Sequence, residues 1–477
     1  MKNARIVLSK IAHRIEAKSL RTSAALILAT LMLMFAAATT VATAQTYTDL
    51  HNFYGAGSYG ILAQGRDGNL YGTTTVGFCY TDSGCGYVFR IAPSGKLKVL
   101  YSFGPFSHGA GTSSPTGLTL GTDGDFYGTT YYGGLWADGT IYKITRSGDL
   151  TYLYSFTGGS DGVRPYAAPI QSTDGNFYGT TAYGNAYKMT FAGTVSGLGP
   201  LPGGSMAPLL QGIDGNFYGT TYNGGTYGDG TDFKMTAKGV VKVVYNFDGT
   251  HGETPESPLI QGSDGNFYGT TEYGGSNGGA TSGGVVLKLT PQGALTVLHN
   301  FPDPNYPNDG GEPLAGLLQA TDGNFYGVTS GGGTMGYGVI FQITPAGGYS
   351  ILYNFDKAHG GGPESSPMQH TNGKLYGVTS YGGPRPSVGV FYSFDMGLGP
   401  FVSLVSASGK IGKTVEVLGQ GFTGTTAVAF NGTAAAFKVV SDTYLTATVP
   451  TGATTGFVTV TTPSGTLTSN KQFRVTP

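Results

Sequence analysis

DGNFYGTT, residues 264–271, is the stretch that decides the fold of this 477-residue chain. Seven copies with small changes lie 56, 51, 40, 50, 58 and 50 residues apart. In each copy Asp-Gly-Asn favours a β-turn, because Asp hydrogen-bonds the turn backbone and Gly accepts positive φ. The Phe, Tyr and Thr residues that follow favour a strand. We therefore expect a structural role for the seven residues that begin the turns: Asp67, Asp123, Asp174, Asp214, Asp264, Asp322 and Asn372.

A repeat unit of about fifty residues surrounds each copy, and residues 255–301 are its best example. Four segments of this unit predict strands, at 258–262, 266–271, 285–290 and 294–301. Short turns join the first strand to the second and the third to the fourth. Four antiparallel strands per unit, repeated around a ring, form a β-propeller. A parallel β-helix is the alternative, but its coils are shorter and need no paired hairpin turns.

Closure of the ring is predicted from the phase of the repeat. A fourth-strand sequence stands alone near the N-terminus, as LHNF at residues 50–53, whereas the last unit stops after its third strand at residues 388–394. The N-terminal strand is therefore expected to complete the last blade. The predicted fold is an all-β, seven-bladed β-propeller over residues 45–395, in which ring closure removes the free sheet edges.

The composition agrees with this fold class. Charged residues make up only 11% of the chain, whereas it has 83 Gly and 32 Tyr. Low charge with abundant Gly, Thr and Tyr suits many short strands and tight turns rather than helices or disorder. The formal net charge is −1, which gives no reason to expect a nucleic-acid partner.

Residues 1–44 are interpreted as an export signal. Six basic residues precede an apolar segment at residues 24–38, and Ala-Thr-Ala at residues 42–44 offers a small-x-small cleavage site. Cleavage leaves 20 basic against 26 acidic residues, so the mature chain is mildly acidic. The protein is therefore expected to be secreted or held at the cell surface, without membrane insertion after cleavage. An uncleaved anchor remains the alternative.

The two cysteines, Cys79 and Cys85, are expected to form a local disulfide, because the chain is predicted to be exported and they lie six residues apart. Two free thiols in a loop are the alternative. No further Cys or nearby His pair completes a zinc site. We therefore expect no metal at this position.

The tail differs in composition from the repeats. A Gly-Pro linker at residues 396–400 leads into residues 401–477, which are rich in Val, Thr and Ala and predict about seven short strands of a small immunoglobulin-like sandwich. The spacing of Gly419, Gly421-Phe422, Gly456 and Phe473 resembles an IPT/TIG domain. This resemblance implies a spacer or docking module without catalysis.

The repeats resemble the GloVer tandem repeats of exported bacterial proteins, which have the same DGxLYGTT core followed by Gly-Gly. The resemblance covers about residues 46–395 and implies a propeller-like secreted or surface protein, with no established activity to carry over. A weaker similarity to virginiamycin B lyase-like and gluconolactonase-like propellers rests mainly on the DGN hairpin, which is structural in both.

The loop lengths distinguish two faces of the predicted ring. The turns between strands one and two, and between strands three and four, are short and form the short-turn face. The connections from strand two to three, and from strand four to the next blade, are long and form the long-loop face. Functional residues concentrate on irregular loops held by a rigid scaffold. The polar residues of these loops are the predicted ligand contacts: Asp161, Arg164, His251, Glu253, Glu256, Glu312 and Glu364.

Two functions of different class follow. The first is a monomeric binding protein without a cofactor, which meets a glycan or an envelope protein on the long-loop face, with tyrosines as stacking platforms. The second is a metal-dependent lyase or lactonase with its metal near the ring axis. The first strands offer glutamines and His370 but no carboxylate, and each turn has one carboxylate where calcium needs several. The sequence therefore favours binding over catalysis. A purely structural role for the loop residues is the third interpretation, because their position repeats.

Overall fold

The structure is a computed structural model that describes residues 45–53, 60–75, 86–104, 113–276, 283–302, 309–384 and 389–476. All of them belong to one compact unit, Gln45–Pro477. The described residues form strands and turns only, and no helix among them could span a membrane. The predicted signal at residues 1–44 and the predicted Cys79–Cys85 pair lie outside the described residues.

The strands are short, and those of the repeats run from residue 46 to residue 395. The first group comprises β1 (Thr46–Asn52), β2 (Ala63–Gln64), β3 (Leu70–Thr74), β4 (Tyr87–Ile91), β5 (Leu97–Ser102), β6 (Ser113–Pro115), β7 (Thr119–Leu120), β8 (Phe126–Tyr132), β9 (Thr140–Ile144), β10 (Leu150–Ser155), β11 (Ile170–Gln171), β12 (Phe177–Thr180), β13 (Asn185–Met189) and β14 (Val195–Pro200). The second comprises β15 (Leu210–Gln211), β16 (Phe217–Thr221), β17 (Thr231–Met235), β18 (Val241–Asn246), β19 (Ile260–Gln261), β20 (Phe267–Thr271), β21 (Val285–Leu289), β22 (Leu295–Asn300), β23 (Gly310–Gly311), β24 (Leu318–Gln319), β25 (Phe325–Thr329), β26 (Gly331–Gly332), β27 (Val339–Ile343), β28 (Tyr349–Asn354), β29 (Met368–Gln369), β30 (Leu375–Val378) and β31 (Val390–Asp395).

Apart from β23 and β26, which pair with each other, these strands form seven antiparallel sheets in the described part of the chain. Six of these sheets keep their strands in the order of the chain, such as β15-β16-β17-β18. The central two strands of each sheet are almost fully buried, because both faces of a blade pack against neighbours. The all-β class and the propeller-like arrangement are thereby confirmed.

The seventh sheet confirms the predicted closure. Strand β1 pairs antiparallel with β31, from Thr46 opposite Asp395 to Asn52 opposite Val390. Directly after β1, the Phe53 side chain is fully buried between the first and last sheets, in a cluster with Phe89 of the first and Phe391 of the last. The N-terminal strand therefore joins the two ends of the repeat array.

The DGNFYGTT motif packs each blade against the next one. The Tyr ring of one copy lies about face to face with the Phe ring of the following copy, with centroids 4.1 Å apart for Tyr178 and Phe217 and 4.0 Å for Tyr268 and Phe325. Its first Thr donates a hydrogen bond to the following unit, as from Thr220 Oγ1 to the Ser257 carbonyl at 3.1 Å. The repeated residues thus build the interfaces between blades.

The glutamines of the first strands form a belt between blades. Gln211 accepts a hydrogen bond from the Thr173 N–H of the preceding blade at 3.0 Å and donates to the Gly215 carbonyl of its own turn at 3.1 Å. Gln64 makes this contact between the last blade and the first, by accepting from the Thr371 N–H at 3.1 Å. The same arrangement recurs at Gln171, Gln261, Gln319 and Gln369. These first-strand amides are therefore occupied in holding the ring together.

The turn aspartates make the same set of contacts from blade to blade. Asp214 accepts hydrogen bonds from the Asn216 N–H at 3.0 Å, from the Tyr218 hydroxyl at 2.9 Å and from Lys234 at 2.8 Å. Burial alone would raise the pKa of Asp214, but these donors lower it to about 2. In the last repeat Asn372 replaces the aspartate and donates to the Tyr376 hydroxyl instead. Tyrosine hydroxyls bond in the same way to the remaining turn residues: Asp67, Asp123, Asp174, Asp264 and Asp322.

Removing one of these hydroxyls tests the structural role of the turns. Tyr218→Phe keeps the ring but deletes a hydrogen bond to a carboxylate, so we expect the free energy of unfolding at pH 7 to fall by about 1–2 kcal/mol. The loss should shrink as the pH falls from about 4 to 2, because the folded-state pKa of Asp214 lies below its unfolded value. Urea denaturation measures both. The control is Tyr227→Phe, whose side chain is 65% exposed and which should change little. Equal effects of the two substitutions would contradict this role.

The tail folds as two sheets. Its strands are β32 (Ser403–Leu404), β33 (Ser408–Lys410), β34 (Thr414–Leu418), β35 (Ala427–Phe430), β36 (Thr433–Ala434), β37 (Phe437–Ser441), β38 (Tyr444–Thr448), β39 (Gly456–Thr462) and β40 (Gly465–Thr476). One sheet has the order β32-β34-β38-β37 and the other β33-β40-β39-β35-β36. Phe422 and Phe473 are buried in the core between them. The sandwich is confirmed, with nine strands among its described residues where the sequence predicts about seven.

Candidate functional site

The tail domain lies against the short-turn face of the repeats. Arg66, two residues after Gln64, forms an ion pair with Glu416 and lies over the Tyr444 ring at 4.9 Å. Gln420 donates to Thr371 Oγ1 at 2.9 Å. A second contact lies at another blade, where Arg474 donates to the Ile213 carbonyl. The tail therefore covers part of this face, and these contacts leave the long-loop face open.

Two predicted contact residues of the long-loop face are engaged within their own turns. Asp161 is only 6% exposed, and its carboxylate accepts from the Thr157 N–H and hydroxyl, the Gly159 N–H and the Tyr154 hydroxyl. His251 is exposed, and its Nδ1 lies 2.9 Å from Asp248 Oδ2. The same histidine–aspartate turn recurs two repeats later, at residues 356–359. Both residues therefore stabilise loops.

The four predicted glutamates lie near one another, in the loops that lead into the fifth, sixth and seventh repeats. Glu256 and Glu364 interact with Glu272, which also interacts with Glu253 and Glu312. Burial, together with the neighbouring carboxylates, raises the pKa of Glu256 to about 7. Burial is also the largest cause that raises the pKa of Glu364 and Glu272. These five residues are called the acidic group below. Their mutual repulsion favours protonation or a cationic partner.

Arg164 lies elsewhere on the same face, at the junction of the second and third blades. Its guanidinium carbon lies 5.7, 5.2 and 5.4 Å from the ring centroids of Tyr131, Tyr132 and Tyr183. It donates a hydrogen bond to the Tyr183 hydroxyl at 2.9 Å. These four residues are called the arginine–tyrosine group below. Arg164 is thus separated from the predicted glutamates, whose interactions do not include it.

Backbone geometry fixes Arg164 and Glu312. Both precede a proline and have positive φ, 55° and 56°, which is uncommon for residues other than glycine. The Arg164 N–H donates to the Asp138 carbonyl at 2.7 Å, and its own carbonyl accepts from the Ala182 N–H at 3.0 Å. The repeated position before proline therefore has a structural role in the backbone, as the third interpretation expects.

The sequence interpretation missed Glu272 and the tyrosines of the arginine–tyrosine group. All of them follow the GTT segment by one or two residues, whereas the predicted contact residues all lie in the loops before strand one. The available signal is a bulky residue at this position in most copies, as in Tyr131-Tyr132, Tyr183, Glu272-Tyr273 and Tyr381.

His370, the one histidine that the first strands offer to the lyase or lactonase alternative, is buried in the structure. His370 is 1% exposed, its Nε2 bonds to the Gly68 carbonyl at 3.0 Å and its Nδ1 accepts from the Asn372 N–H at 3.2 Å. Burial lowers its pKa, so it is a neutral residue of the blade interface. Among the described residues, no group of three or more His, Cys, Asp or Glu side chains is arranged to hold a metal ion.

Known proteins resemble this chain in its repeats and tail. The model of the Gloeobacter/Verrucomicrobia repeat matches residues 34–196 and 204–436, and that of the IPT/TIG domain matches residues 400–475. No curated protein matches the chain.

Similar solved structures are distant. One is the extracellular domain of a hybrid two-component system from B. thetaiotaomicron, 11% identical with a TM-score of 0.46; the match covers 89% of this chain, which spans 56% of that structure. Another is a gluconolactonase from Xanthomonas campestris, 12% identical with a TM-score of 0.39, with 74% of this chain and 90% of that one covered. Neither carries an argument about activity. The repeat match does cover most of the chain, which therefore belongs to the Gloeobacter/Verrucomicrobia repeat family and has a C-terminal IPT/TIG domain.

Proposed function

We propose that this protein is an exported or cell-surface binding protein whose long-loop face takes a glycan or an envelope protein. The observation that carries the proposal is the difference between the two faces. The IPT/TIG domain lies on the short-turn face, through Arg66, Glu416 and Tyr444. The long-loop face instead presents partly exposed charged and aromatic side chains. A rigid ring that displays such residues on its loops is suited to recognition.

The buried chemistry supports binding rather than catalysis. The first-strand glutamines bridge neighbouring blades, and the turn aspartates hold tyrosine hydroxyls, so both repeated polar residues have structural partners. The polar residues of the long-loop face form two separate groups, one acidic and one built on Arg164. Two groups of different charge on one rim suit a ligand with several contact points. We propose a monomer that acts without a cofactor or a nucleic-acid partner.

Export of this module rests on residues 1–44, whose basic, apolar and small residues follow the order of a signal peptide. In this proposal the mature chain begins at Gln45, and the tail domain holds the ring with its long-loop face away from the docking side.

A variant of the long-loop face tests the proposal. Residues 45–477 are screened on glycan and envelope-protein arrays, and the tightest hit is measured again with Tyr183→Ser/Glu256→Gln/Glu364→Gln. We expect its affinity to fall at least about tenfold, because each change removes a contact group from the rim. The fold should persist, since Tyr183 is 59% exposed and neutral glutamines relieve the repulsion in the acidic group.

The control variant is Arg146→Gln/Lys238→Gln, which changes exposed residues in the turns between strands three and four on the opposite face. It should bind as the wild type does. Full binding by the folded long-loop variant, together with loss in the control, would place the ligand on the short-turn face and contradict the proposal.

A further inference from the structure

Arg164 is a cation held by aromatic rings instead of by acids. Its guanidinium contacts Tyr131, Tyr132 and Tyr183 within 5.7 Å of each centroid. In the part of the chain that the structure describes, it takes part in none of the ion pairs between side chains. Arginine has five N–H donors in a planar fork; one is directed to the Tyr183 hydroxyl, and the Tyr131 hydroxyl is a second acceptor. The positive charge of Arg164 therefore has hydroxyl and aromatic partners but no acidic one among the described residues.

The backbone around Arg164 is fixed before any ligand arrives. Its N–H and carbonyl bridge the second and third blades through Asp138 and Ala182, and its φ of 55° is set by that bridge. Asp161, three residues earlier, holds the preceding loop through four hydrogen bonds. A fixed backbone reduces the entropy lost when the side chain orders around a ligand. The group is therefore preorganised.

The loop beside this group is shorter than its counterparts in the neighbouring blades. The connection between strands two and three of the third blade consists of residues 181–184 only, whereas residues 133–139 and 222–230 make this connection in the two neighbouring blades. Two tyrosines of this region are substantially exposed, Tyr183 by 59% and Tyr166 by 41%. A ligand can therefore reach aromatic surface beside Arg164.

The chemistry of the group selects the class of ligand. Tyrosine rings offer flat apolar faces with polar edges, which suits the C–H faces and hydroxyls of a sugar ring. One guanidinium matches a carboxylate or a sulfate ester, each with a single negative charge, in a bidentate contact. Among the described residues Arg164 is the one cation over these three rings, so a doubly charged phosphate monoester would be left half-neutralised.

We propose that the arginine–tyrosine group binds an acidic sugar residue, with the singly charged carboxylate or sulfate ester on Arg164 and the sugar ring against the tyrosines. This inference rests on the proposed binding function and specifies its ligand class. In this proposal the tyrosines and Arg164 contact the same ligand.

Calorimetry with defined oligosaccharides tests it. The probes are an oligogalacturonate, the same oligomer as its neutral methyl ester, and a sulfated galactan oligomer. We expect the wild type to bind at least one charged oligomer about tenfold or more tightly than the methyl ester. Binding of the uronate alone, or of the sulfated oligomer alone, identifies the anion, and either result supports the proposal.

Variants assign the discrimination to Arg164. Arg164→Gln should bind charged and neutral oligomers alike, and Arg164→Lys should recover only part of the preference, because an ammonium lacks the planar fork. Arg146→Gln on the opposite face is the charge-matched control and should keep the full preference. If Arg164→Gln is unfolded by its melting curve, Tyr183→Phe replaces it, since it removes the hydroxyl that orients the guanidinium.

Three results would overturn the inference: equal affinity of the wild type for free acid and ester, an undiminished preference in Arg164→Gln, or no binding of any charged oligomer. None of these results by itself contradicts the proposed function. The proposed function is contradicted when the tightest array hit binds the folded long-loop variant as well as it binds the wild type, while the control variant loses binding. The two failures are thus distinguishable.

Discussion

Replacement of Asp232 with valine is expected to stabilise the protein by about 4 kcal/mol at pH 7. Asp232 is 1% exposed in the third strand of its blade, and neither carboxyl oxygen has a hydrogen-bond partner among the described residues. Burial raises its pKa to about 8. The same strand position is apolar and buried in other blades: Val88, Ile141, Ala186, Val286 and Ile340. Valine therefore removes an unpaired acid and restores the residue type that the interface favours.

The stability difference between Asp232→Val and the wild type should depend on pH. The folded-state pKa of Asp232 is above its unfolded value near 4, so the folded state binds more protons between pH 4 and about 8. Stability of the wild type should fall across this range because of this group, and the advantage of Asp232→Val should grow from about pH 4 and level off above about pH 8. Urea denaturation at several pH values measures the difference.

The neighbouring blade supplies the reciprocal control. Val286→Asp places an acid at the equivalent position and should destabilise by a similar amount, with a loss that increases as pH rises. A difference between Asp232→Val and the wild type that is near zero and constant from pH 4 to 8 would show that the Asp232 carboxylate has a partner in the folded protein.

Phe53→Ala is expected to lower the free energy of unfolding by about 3–5 kcal/mol, because it truncates a fully buried aromatic residue. Phe53 follows the clasp strand β1, its N–H donates to the Gly389 carbonyl at 2.7 Å and its ring lies 5.3 Å from that of Phe89. The substitution therefore weakens the junction between the first and last blades. Chemical denaturation followed by fluorescence measures the change.

The control is Phe191→Ala, which removes a ring that is 49% exposed within the same propeller. It should cost about 1 kcal/mol or less. Similar losses in the free energy of unfolding for the two variants would mean that Phe53 contributes no more than an ordinary surface contact. That result would contradict a stabilising closure between the first and last blades.

The sequence was sufficient for the parts of the fold that local chemistry determines. Asp-Gly-Asn followed by Phe-Tyr predicts a turn and a strand within one copy, and the solitary LHNF segment predicts the clasp. The contacts that Gln211 and the Tyr218 ring make with neighbouring blades were not predictable in this way, since they depend on how the blades pack. The part that these residues play between blades is therefore visible only once neighbouring repeats are placed side by side.

The candidate site was predicted in part for the same reason. Arg164 and the glutamates were found, because they are polar residues in irregular loops. Their separation into two groups depends on which blade each loop belongs to, and Glu272 lies directly after strand two, outside the loops in which the sequence predicts contacts. The unusual character of Asp232, by contrast, is visible in the sequence. Comparison of the copies shows a single charged residue at a strand position that is apolar in the others.

The most direct test of the central claim is the hydrogen-exchange footprint of the tightest array hit on residues 45–477. The account predicts slowed exchange in peptides that cover residues 131–139, 162–168 or 252–257, all on the long-loop face, with unchanged exchange around residues 213–216 and in the tail domain. Protection confined to the short-turn face or to the tail, with the long-loop peptides unchanged, would contradict it.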